Sequence, residues 1–275
     1  MPELPDVETF RQYLDATALH RRIERVHVGE PTVLEATSPQ ALGRRLNHRR
    51  FESTSRRGKY LFAELSDGGA LVLHFGMTGY LSYAKAPGPA PDYTVMAIEF
   101  EDASRLFYVA PRKLGHIALT DATDEFIDRH GLGPDALDLD LEGFRRLVRA
   151  HHSAAKSFLM NQNTLAGIGS VYADEILFQA GIHPAQRIDR LTDEAVAEMH
   201  RQLRRVLAAA IEAGADPRAM PEWFLLPHRA GDQRCPRCAS PLEQRRINGR
   251  TTYFCPRCQP PKPGARDEDR GARKG

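Results

Sequence analysis

The four cysteines of the 275-residue chain form two Cys-x-x-Cys pairs near its C-terminus. The pairs are Cys235 with Cys238 and Cys255 with Cys258, and each has the sequence CPRC. Each pair can bring two thiolates to one ion from a tight turn. Because no cysteine remains for a disulfide elsewhere, the pattern predicts one structural Zn²⁺ held tetrahedrally by four sulfur ligands.

A second group with chemical potential lies at the start of the chain, in MPELPDVETF. An initiator methionine in front of proline is usually removed, which leaves the secondary amine of Pro2 as the N-terminus. From these residues alone the amine is either a reactive group or merely a chain end, and Glu3 is a carboxylate at a helix start. Apolar residues at helical spacing follow, so we expect a short amphipathic helix to begin near Pro5.

Two further motifs have features that suit an anion. Asn248-Gly249, between alternating residues, predicts a two-residue hairpin turn with Arg250 at or beside its tip. This arginine either enters a DNA groove or binds a phosphate, or it is the surface arginine of an ordinary zinc ribbon. The sequence GIGS at 167–170 precedes a helix, where exposed amides and the helix dipole favour phosphate. The alternative for GIGS is a plain tight turn between helices.

The charge of the chain is nearly balanced but unevenly distributed. The formal net charge is +2, yet residues 20–59 are rich in arginine and residues 121–142 are acidic. This asymmetry suits a face that binds an anionic polymer, with solvated surface arginines as the alternative. No apolar run approaches the roughly 20 residues of a membrane span, and no signal peptide is evident, so we expect a cytoplasmic protein.

The hydrophobic pattern divides the chain into a strand-rich part and a helical part. Strand-like runs between residues 22 and 120, separated by turn sequences such as SDGG, imply a sandwich or a barrel. Residues 129–143 have the Gly, Pro and Asp content of an interdomain connection. Helical periodicity is expected beyond them, over 142–151, 154–160, 171–180 and 192–213. Residues 259–275 have a composition typical of disorder.

Four motifs, in this order, resemble the formamidopyrimidine-DNA glycosylase/endonuclease VIII family of base-excision repair enzymes. They are MPELPDVE at the start, the RRGKYL stretch, GIGSVYADEILFQAGIHP, and INGRTTYFCPRCQ near the end. The resemblance covers about residues 1–259 of the chain. It implies an α+β fold of two domains: an N-terminal β-sandwich flanked by helices, then a helix-two-turn-helix domain with a four-cysteine β-hairpin zinc finger.

The resemblance also implies an order of segments and a partner. The expected order is a catalytic β-sandwich domain, a linker, a helix-two-turn-helix DNA-binding domain, a zinc finger and a disordered tail. These segments are expected at 1–130, 131–143, 144–230, 231–259 and 260–275. The expected partner is damaged double-stranded DNA, bound by a monomer in the cytoplasm, at the nucleoid if the source is a prokaryote.

Individual catalytic roles follow from the resemblance. Pro2 is implied to be the nucleophile that attacks C1′ of the sugar, forming an iminium that makes the C2′ proton acidic. Glu3 is implied to be the acid that protonates the opening sugar. Lys59 matches the β-hairpin lysine that contacts phosphate near the lesion and assists catalysis. Arg250 matches the zinc-finger arginine on the neighbouring phosphates.

The remaining roles concern DNA from which a nucleotide has been extruded. By resemblance, His74 meets a phosphate and Met77 fills the vacancy in the base stack with a flexible thioether. Arg112 faces the orphaned partner base, where a guanidinium pairs with an acceptor-rich edge. Gly169 and Ser170 match the helix start that binds phosphate.

The sequence departs from the family pattern at three places. Leu114 replaces an aromatic wedge, so damage search or partner preference is expected to differ. Ser170 stands where asparagine is usual, and we expect it to cap the helix and to keep a weakened phosphate contact. Residues 214–234 lack the Gly-rich lid and the Tyr-Gly-Arg-x-Gly-x-Pro-Cys run of typical 8-oxoguanine-cutting members, which leaves the base preference open.

Together these features predict a bifunctional DNA glycosylase/AP lyase that excises oxidised purines, such as formamidopyrimidine and 8-oxoguanine, and nicks the strand by β,δ-elimination. MPELP resembles the purine-cutting branch more than the endonuclease VIII branch. The alternatives are the same chemistry on oxidised pyrimidines or a broad lesion range, and a non-catalytic zinc-containing protein that recognises damaged DNA. Pro2 and Glu3 beside Lys59 argue against the last, since phosphate binding needs neither a proline amine nor Glu3.

Overall fold

The computed structural model of the chain describes residues 1–229 and 234–261. The chain forms two compact units, the first from Met1 to Gly131 and the second from Leu132 onward. The tail predicted at 260–275 lies almost entirely outside the described residues. Among the helices that are described, none is long and apolar enough to cross a bilayer.

The first unit is a β-sandwich, as the resemblance implied. Its strands are β1 (Ile23–Val28), β2 (Phe51–Arg57), β3 (Tyr60–Leu65), β4 (Ala70–His74), β5 (Tyr80–Ala84), β6 (Thr94–Phe100), β7 (Arg105–Val109) and β8 (His116–Thr120). They form two antiparallel four-stranded sheets, in the orders β1-β6-β7-β5 and β2-β3-β4-β8. Inward apolar residues of both sheets, such as Leu61 and Ile98, share one buried core. Burial of this core is the main stabilising contribution in the unit.

Three helices accompany the sandwich: α1 (Leu4–Ala18), α2 (Pro39–Leu46) and α3 (Thr123–Arg129). Helix α1 begins one residue before the expected start and buries an apolar stripe against the core. Strands β2 and β5 and helices α2 and α3 were not predicted from sequence. Strand β2 buries only its first residue, and β5 only its second. Pairing with a neighbouring strand, and not a local apolar alternation, therefore creates both strands.

The second unit is helical and ends in a zinc hairpin. Its elements are α4 (Leu141–Arg149), α5 (Ala155–Met160), α6 (Ser170–Gln179), α7 (Asp193–Glu212), β9 (Glu243–Ile247) and β10 (Arg250–Phe254). All four helices occur where helical periodicity predicted them. The side chain of Thr192 accepts a hydrogen bond from the backbone N–H of Ala195, which confirms the predicted cap of α7.

The segment predicted as a linker at 131–143 is packed into the second unit along most of its length. The Arg204 guanidinium donates to the Leu137 carbonyl at 2.6 Å, and His200 Nε2 lies 2.9 Å from the Leu139 carbonyl. Both partners are on α7, so the segment is fixed by side-chain donors that its own sequence does not reveal. Within it, Asp135 forms a β-bridge with Ala166 and Asp140 is the N-cap of α4.

Candidate active site and nucleic-acid interface

The N-terminal residues lie at the start of α1. Glu3 is the N-cap of this helix and only 1% of its surface is exposed. The Glu3 N–H donates to Asp6 Oδ2 at 2.9 Å, and the Glu3 carboxylate faces the Asp6 N–H, so the two residues form a capping box. Pro2 therefore lies next to the positive end of the helix dipole. Its nitrogen is an amide while Met1 is attached and becomes an amine when Met1 is removed.

Asp6 adds a second carboxyl group to this helix start. Burial raises the pKa of Asp6 from 3.8 to about 6, while the hydrogen bond from the Glu3 N–H opposes the shift. Asp6 thus titrates near neutral pH within one helical turn of Pro2. In the sequence it had no feature beyond that of an acidic residue in a first helical turn.

Lys59 lies in the two-residue turn between β2 and β3, after Gly58, whose φ is +58°. Arg56 fixes this turn to α1, because its guanidinium donates to the Gly58 carbonyl at 3.0 Å and to Glu8 Oε2 at 3.2 Å. The Arg56 side chain is 8% exposed, so the contact is shielded from solvent. Arg56 and Glu8 therefore connect the turn that carries Lys59 to the helix that begins after Glu3.

His74 ends strand β4 between Tyr60 and His116, which are its Cα partners on β3 and β8. The His74 ring centroid lies 4.8 Å from that of Tyr60 and 5.7 Å from that of His116. Burial, together with smaller electrostatic contributions from His116 and Lys59, lowers the pKa of His74 to about 4. His74 is therefore neutral at physiological pH and would bind an anion as an N–H donor. Since Lys59 directly precedes Tyr60, Lys59 and His74 lie at the same sheet edge.

Met77, Arg112 and Leu114 lie on two neighbouring loops, residues 75–79 after β4 and residues 110–115 before β8. We refer to these as the tip loops. Met77 is 38% exposed and Leu114 is 48% exposed, which is unusual for large apolar side chains. Arg112 is exposed as well. The structure thus brings together, on one surface of the first unit, the three residues implied to enter a DNA stack.

Two glycines pack the tip loops against each other. Gly76 has a φ of +60°, and a Cβ atom at this position would overlap the backbone of Leu114. A Cβ atom at Gly115 would overlap the hydroxyl of Tyr108. The same hydroxyl donates to the His74 carbonyl at 2.9 Å, at the end of β4. The tip loops therefore form one packed substructure.

Part of the basic stretch at 20–59 is neutralised within the first unit. Arg45 and Arg49 both bind Asp67, at 2.7 and 2.6 Å, and lower the pKa of this carboxyl to about 2. For these arginines the surface interpretation is the right one. The composition of the stretch therefore overstates the positive charge that is available to a polyanion.

In the second unit, the hairpin tip and the start of α6 lie together. Asn248 and Gly249 have φ values of +47° and +74°, which confirms the predicted turn, and Arg250 is the first residue of β10. The Ser170 hydroxyl donates to the Thr251 carbonyl at 3.1 Å. This bond joins the last residue of the GIGS motif to the residue that follows Arg250. The two motifs, which are remote in sequence, therefore lie side by side.

The predicted helix cap at Ser170 is wrong. Gly169 is the N-cap of α6, no side chain caps this helix, and Ser170 is its first residue. Because the Ser170 hydroxyl donates to Thr251, its single proton is directed at the hairpin. A phosphate at this helix start would be bound by backbone amides.

A cluster of buried charges joins the hairpin to the helices of the second unit. Asp174 on α6 is fully buried and lies 2.7 Å from Lys156 Nζ and 2.9 Å from Arg229 Nη2. Asp174 also accepts the backbone N–H of Tyr253 on β10 at 3.1 Å. Lys156 donates in addition to the Thr251 carbonyl at 2.9 Å. Sequence reasoning missed this cluster, although an acidic pair inside the apolar run YADEILF was a signal for it.

Glu175, the next residue on α6, holds the segment that follows α7. Its carboxylate accepts the backbone N–H groups of Leu225 and Leu226 at 3.0 and 2.8 Å. It also accepts the Gln179 amide at 2.8 Å, and burial raises its pKa to about 7. Phe224 and Leu225 are completely buried. The part of the segment around Leu225 is therefore packed onto α6.

The four cysteine sulfurs fit a zinc ion. All four lie within 4.8 Å of one another, with 3.8 Å from Cys235 to Cys258 and 3.5 Å from Cys238 to Cys255. Four sulfurs at about 2.3 Å from a tetrahedral Zn²⁺ are separated by about 3.8 Å. The observed separations are close to this value and too long for disulfides.

Family models match nearly the whole chain. The N-terminal domain model of formamidopyrimidine-DNA glycosylase matches residues 1–117, and its H2TH domain model matches residues 131–220. The zinc finger found in FPG and IleRS matches residues 232–261. Together with the sulfur geometry, this match assigns one structural Zn²⁺ to the four cysteines.

Individual relatives agree with these matches. The formamidopyrimidine-DNA glycosylase of Methylococcus capsulatus is 36% identical, with 94% of this chain and 100% of the relative covered. That of Thermomicrobium roseum is 37% identical, with 94% and 99% covered. The crystal structure of Lactococcus lactis Fpg (MutM) with N7-benzyl-Fapy-dG-containing DNA has a TM-score of 0.87 at 27% identity, covering 94% of this chain and 100% of that one. The chain is therefore a member of the formamidopyrimidine-DNA glycosylase family, whose enzymes are bifunctional DNA glycosylases and AP lyases.

Proposed function

We propose that this protein excises oxidised purines, such as formamidopyrimidine and 8-oxoguanine, from duplex DNA and then nicks the abasic strand. The observation that carries the proposal is the arrangement at the N-terminus, where Pro2 directly precedes a buried Glu3 that caps α1. Relatives of known structure support it, since Lactococcus lactis Fpg has been solved with FAPY-dG-containing DNA and with abasic DNA.

Base excision begins with the Pro2 amine, which exists once Met1 has been removed. The positive end of α1 disfavours protonation of this amine, so its lone pair is available to attack C1′ of the lesion sugar. The new N–C1′ bond forms as the glycosidic bond breaks, and the base leaves with the bonding electrons and takes up a proton. After the amine has lost its proton, its lone pair expels O4′, which Glu3 protonates as the sugar opens. An iminium between Pro2 and C1′ results.

The strand is then cut by two eliminations. The iminium withdraws electrons, so the C2′ proton is lost and the 3′ phosphate leaves. A second elimination releases the 5′ phosphate, and hydrolysis of the iminium regenerates the Pro2 amine. Lys59 and His74 at their shared sheet edge, and Arg250 at the hairpin tip, bind backbone phosphates and fix the position of the sugar.

Extrusion of the damaged nucleotide leaves a gap in the duplex. In this proposal Met77 fills the gap, Leu114 wedges beside it and Arg112 faces the partner base. Their exposure on packed tip loops supports these roles, because a side chain that enters DNA must be accessible while its backbone stays in place.

A second candidate is the same chemistry on oxidised pyrimidines or on a broad range of lesions. The packing of Leu225 and Leu226 against Glu175 favours it. Glu175 holds Leu225 and Leu226 by their backbone amides, so these amides cannot contact an everted purine. Discrimination among bases would then depend on other groups.

Borohydride trapping tests the proposal. Duplexes with 8-oxoguanine, 5-hydroxyuracil or an abasic site are incubated with protein whose loss of Met1 has been verified by intact mass. We expect covalent adducts with the abasic and 8-oxoguanine duplexes, and the relative yields rank the two candidates. Pro2→Gly, or an uncleaved N-terminal tag, should largely remove trapping, whereas Pro89→Gly in an exposed loop should not. Absence of an adduct with every duplex would refute the lyase mechanism.

A further inference from the structure

His116 is an exposed imidazole that the proposed function does not yet use. It is the first residue of β8, and its Cα partner is His74 at the end of β4. The two rings lie 5.7 Å apart at an interplanar angle of 26°. Stacked side by side on adjacent antiparallel strands, they present their edges in similar directions at the boundary of the sheet.

His74 is prepared to donate from one defined nitrogen. Its Nδ1 faces the backbone N–H of Gly76 at 3.4 Å, so Nδ1 is the acceptor and the proton of the neutral ring resides on Nε2. Because the pKa of His74 is lowered to about 4, the ring offers a hydrogen bond without a charge near neutral pH. A single neutral donor is a weak ligand for a phosphate.

The groups around this histidine pair suit an anion. Lys59 is close enough to lower the pKa of His74, and it lies in the turn next to Tyr60. The charge of Glu35 opposes the lowered pKa of His74, and Glu35 Oε1 lies 2.9 Å from His130 Nε2. Its negative charge is thus directed at His130. This sheet edge therefore carries the half-buried Lys59 beside the imidazoles of His74 and His116.

We infer that His116 joins His74 and Lys59 in binding one backbone phosphate of the DNA, so that His116 is a further positioning residue for the lesion strand. This inference rests on the proposed function. A phosphate presents several acceptor oxygens, and two adjacent imidazole edges supply two donors that one edge cannot. The alternative is that His116 only stacks on His74 and stabilises the fold, as aromatic pairs do.

The test measures equilibrium binding of a duplex with a tetrahydrofuran abasic analogue, together with melting temperatures. We expect His116→Ala to raise Kd about tenfold or more, the change that the loss of one hydrogen bond to a charged group typically causes. His116→Gln, which keeps an N–H donor, should restore binding to within about twofold. His116→Lys should steepen the dependence of log Kd on log salt concentration by about 0.9.

His27 provides the matched control, since it is an exposed histidine on β1 of the other sheet. His27→Ala should leave Kd unchanged, and His27→Lys should leave the salt slope unchanged. An unchanged Kd for His116→Ala overturns the inference. The inference is also overturned if His116→Ala raises Kd and lowers the melting temperature while His116→Gln fails to restore binding. If the wild-type protein binds and traps DNA while His116→Ala behaves identically, only the inference fails; absence of wild-type binding and trapping refutes the proposed function as well.

Discussion

Asp174→Asn is expected to destabilise the second unit strongly, although it changes only one atom. The Asp174 carboxylate binds two cations on different oxygens, with Lys156 at 2.7 Å from Oδ1 and Arg229 at 2.9 Å from Oδ2. Asparagine has a single acceptor oxygen, so one of the two cations would face an NH₂ group. Lys156 is 1% exposed and cannot turn to solvent.

The magnitude follows from this burial. Removing one partner of a buried ion pair typically costs about 3–5 kcal/mol, because an uncompensated charge remains inside the protein. Burial already raises the pKa of Asp174, while Lys156 and Arg229 oppose that shift, so the carboxylate depends on its two cations to remain charged. With a denaturant slope of about 2 kcal/mol per molar urea, a loss of about 4 kcal/mol lowers the urea midpoint by about 2 M.

The chain contains one tryptophan, which makes the assay specific for this unit. Trp223 lies after α7, with the Arg205 guanidinium 4.0 Å from its ring centroid, so its fluorescence reports unfolding of the second unit. Asp216→Asn is the control, since it alters an ion pair with Arg218, whose side chain is 90% exposed. The control should leave the midpoint unchanged. A midpoint shift below about 0.5 M for Asp174→Asn would show that the charge cluster does not hold the unit together.

Two further predictions concern the first unit. The raised pKa of Asp6, about 6 against 3.8, means that its stabilising contribution is complete below pH 3.8 and is lost as the pH rises through about 6. Asp6→Asn can still accept the Glu3 N–H but does not ionise. Between pH 4 and pH 7 its free energy of unfolding in urea should therefore rise by up to about 3 kcal/mol relative to that of wild type. A difference that does not depend on pH would contradict this. Gly115→Ala should cost about 1–3 kcal/mol in thermal unfolding, because the new methyl group overlaps Tyr108. Gly88→Ala, in open space, is its control, and equal melting temperatures for the two variants would count against the packing described for the tip loops.

The features that could be predicted from sequence are those determined by neighbouring residues. The positive φ values of Asn248 and Gly249 follow from their intrinsic preference for such a turn. Helix α7 follows from its periodicity and its Thr192 cap. The spacing of the cysteine pairs likewise predicts that the four sulfurs lie together. The roles assigned to Pro2 and to Lys59 came from a resemblance and stay predictions.

The features that were missed depend on partners distant in sequence. Strand β2 has little apolar alternation and exists because β3 pairs with it. His116 has no local signal of function until β8 aligns it with His74. The Ser170 cap was predicted wrongly because α6 begins one residue earlier than expected: Gly169 is the N-cap, and the Ser170 hydroxyl donates to Thr251 on a separate hairpin. In each case the structure depends on residues that the local sequence pattern does not reveal.

The packing of Gly76 and Gly115 has a consequence for how this protein can diversify. The backbone contacts that join the tip loops involve the glycines, Tyr108 and the end of β4, and not the exposed side chains of Met77 and Leu114. Mutations at the exposed positions can therefore accumulate with little effect on folding, whereas the glycines tolerate almost no replacement. Leucine in place of an aromatic wedge at position 114 is a change of this kind, with little effect on the free energy of folding. Single substitutions at these exposed positions can thus change the preference for lesion or partner base, in evolution or in laboratory selection, while the fold stays the same.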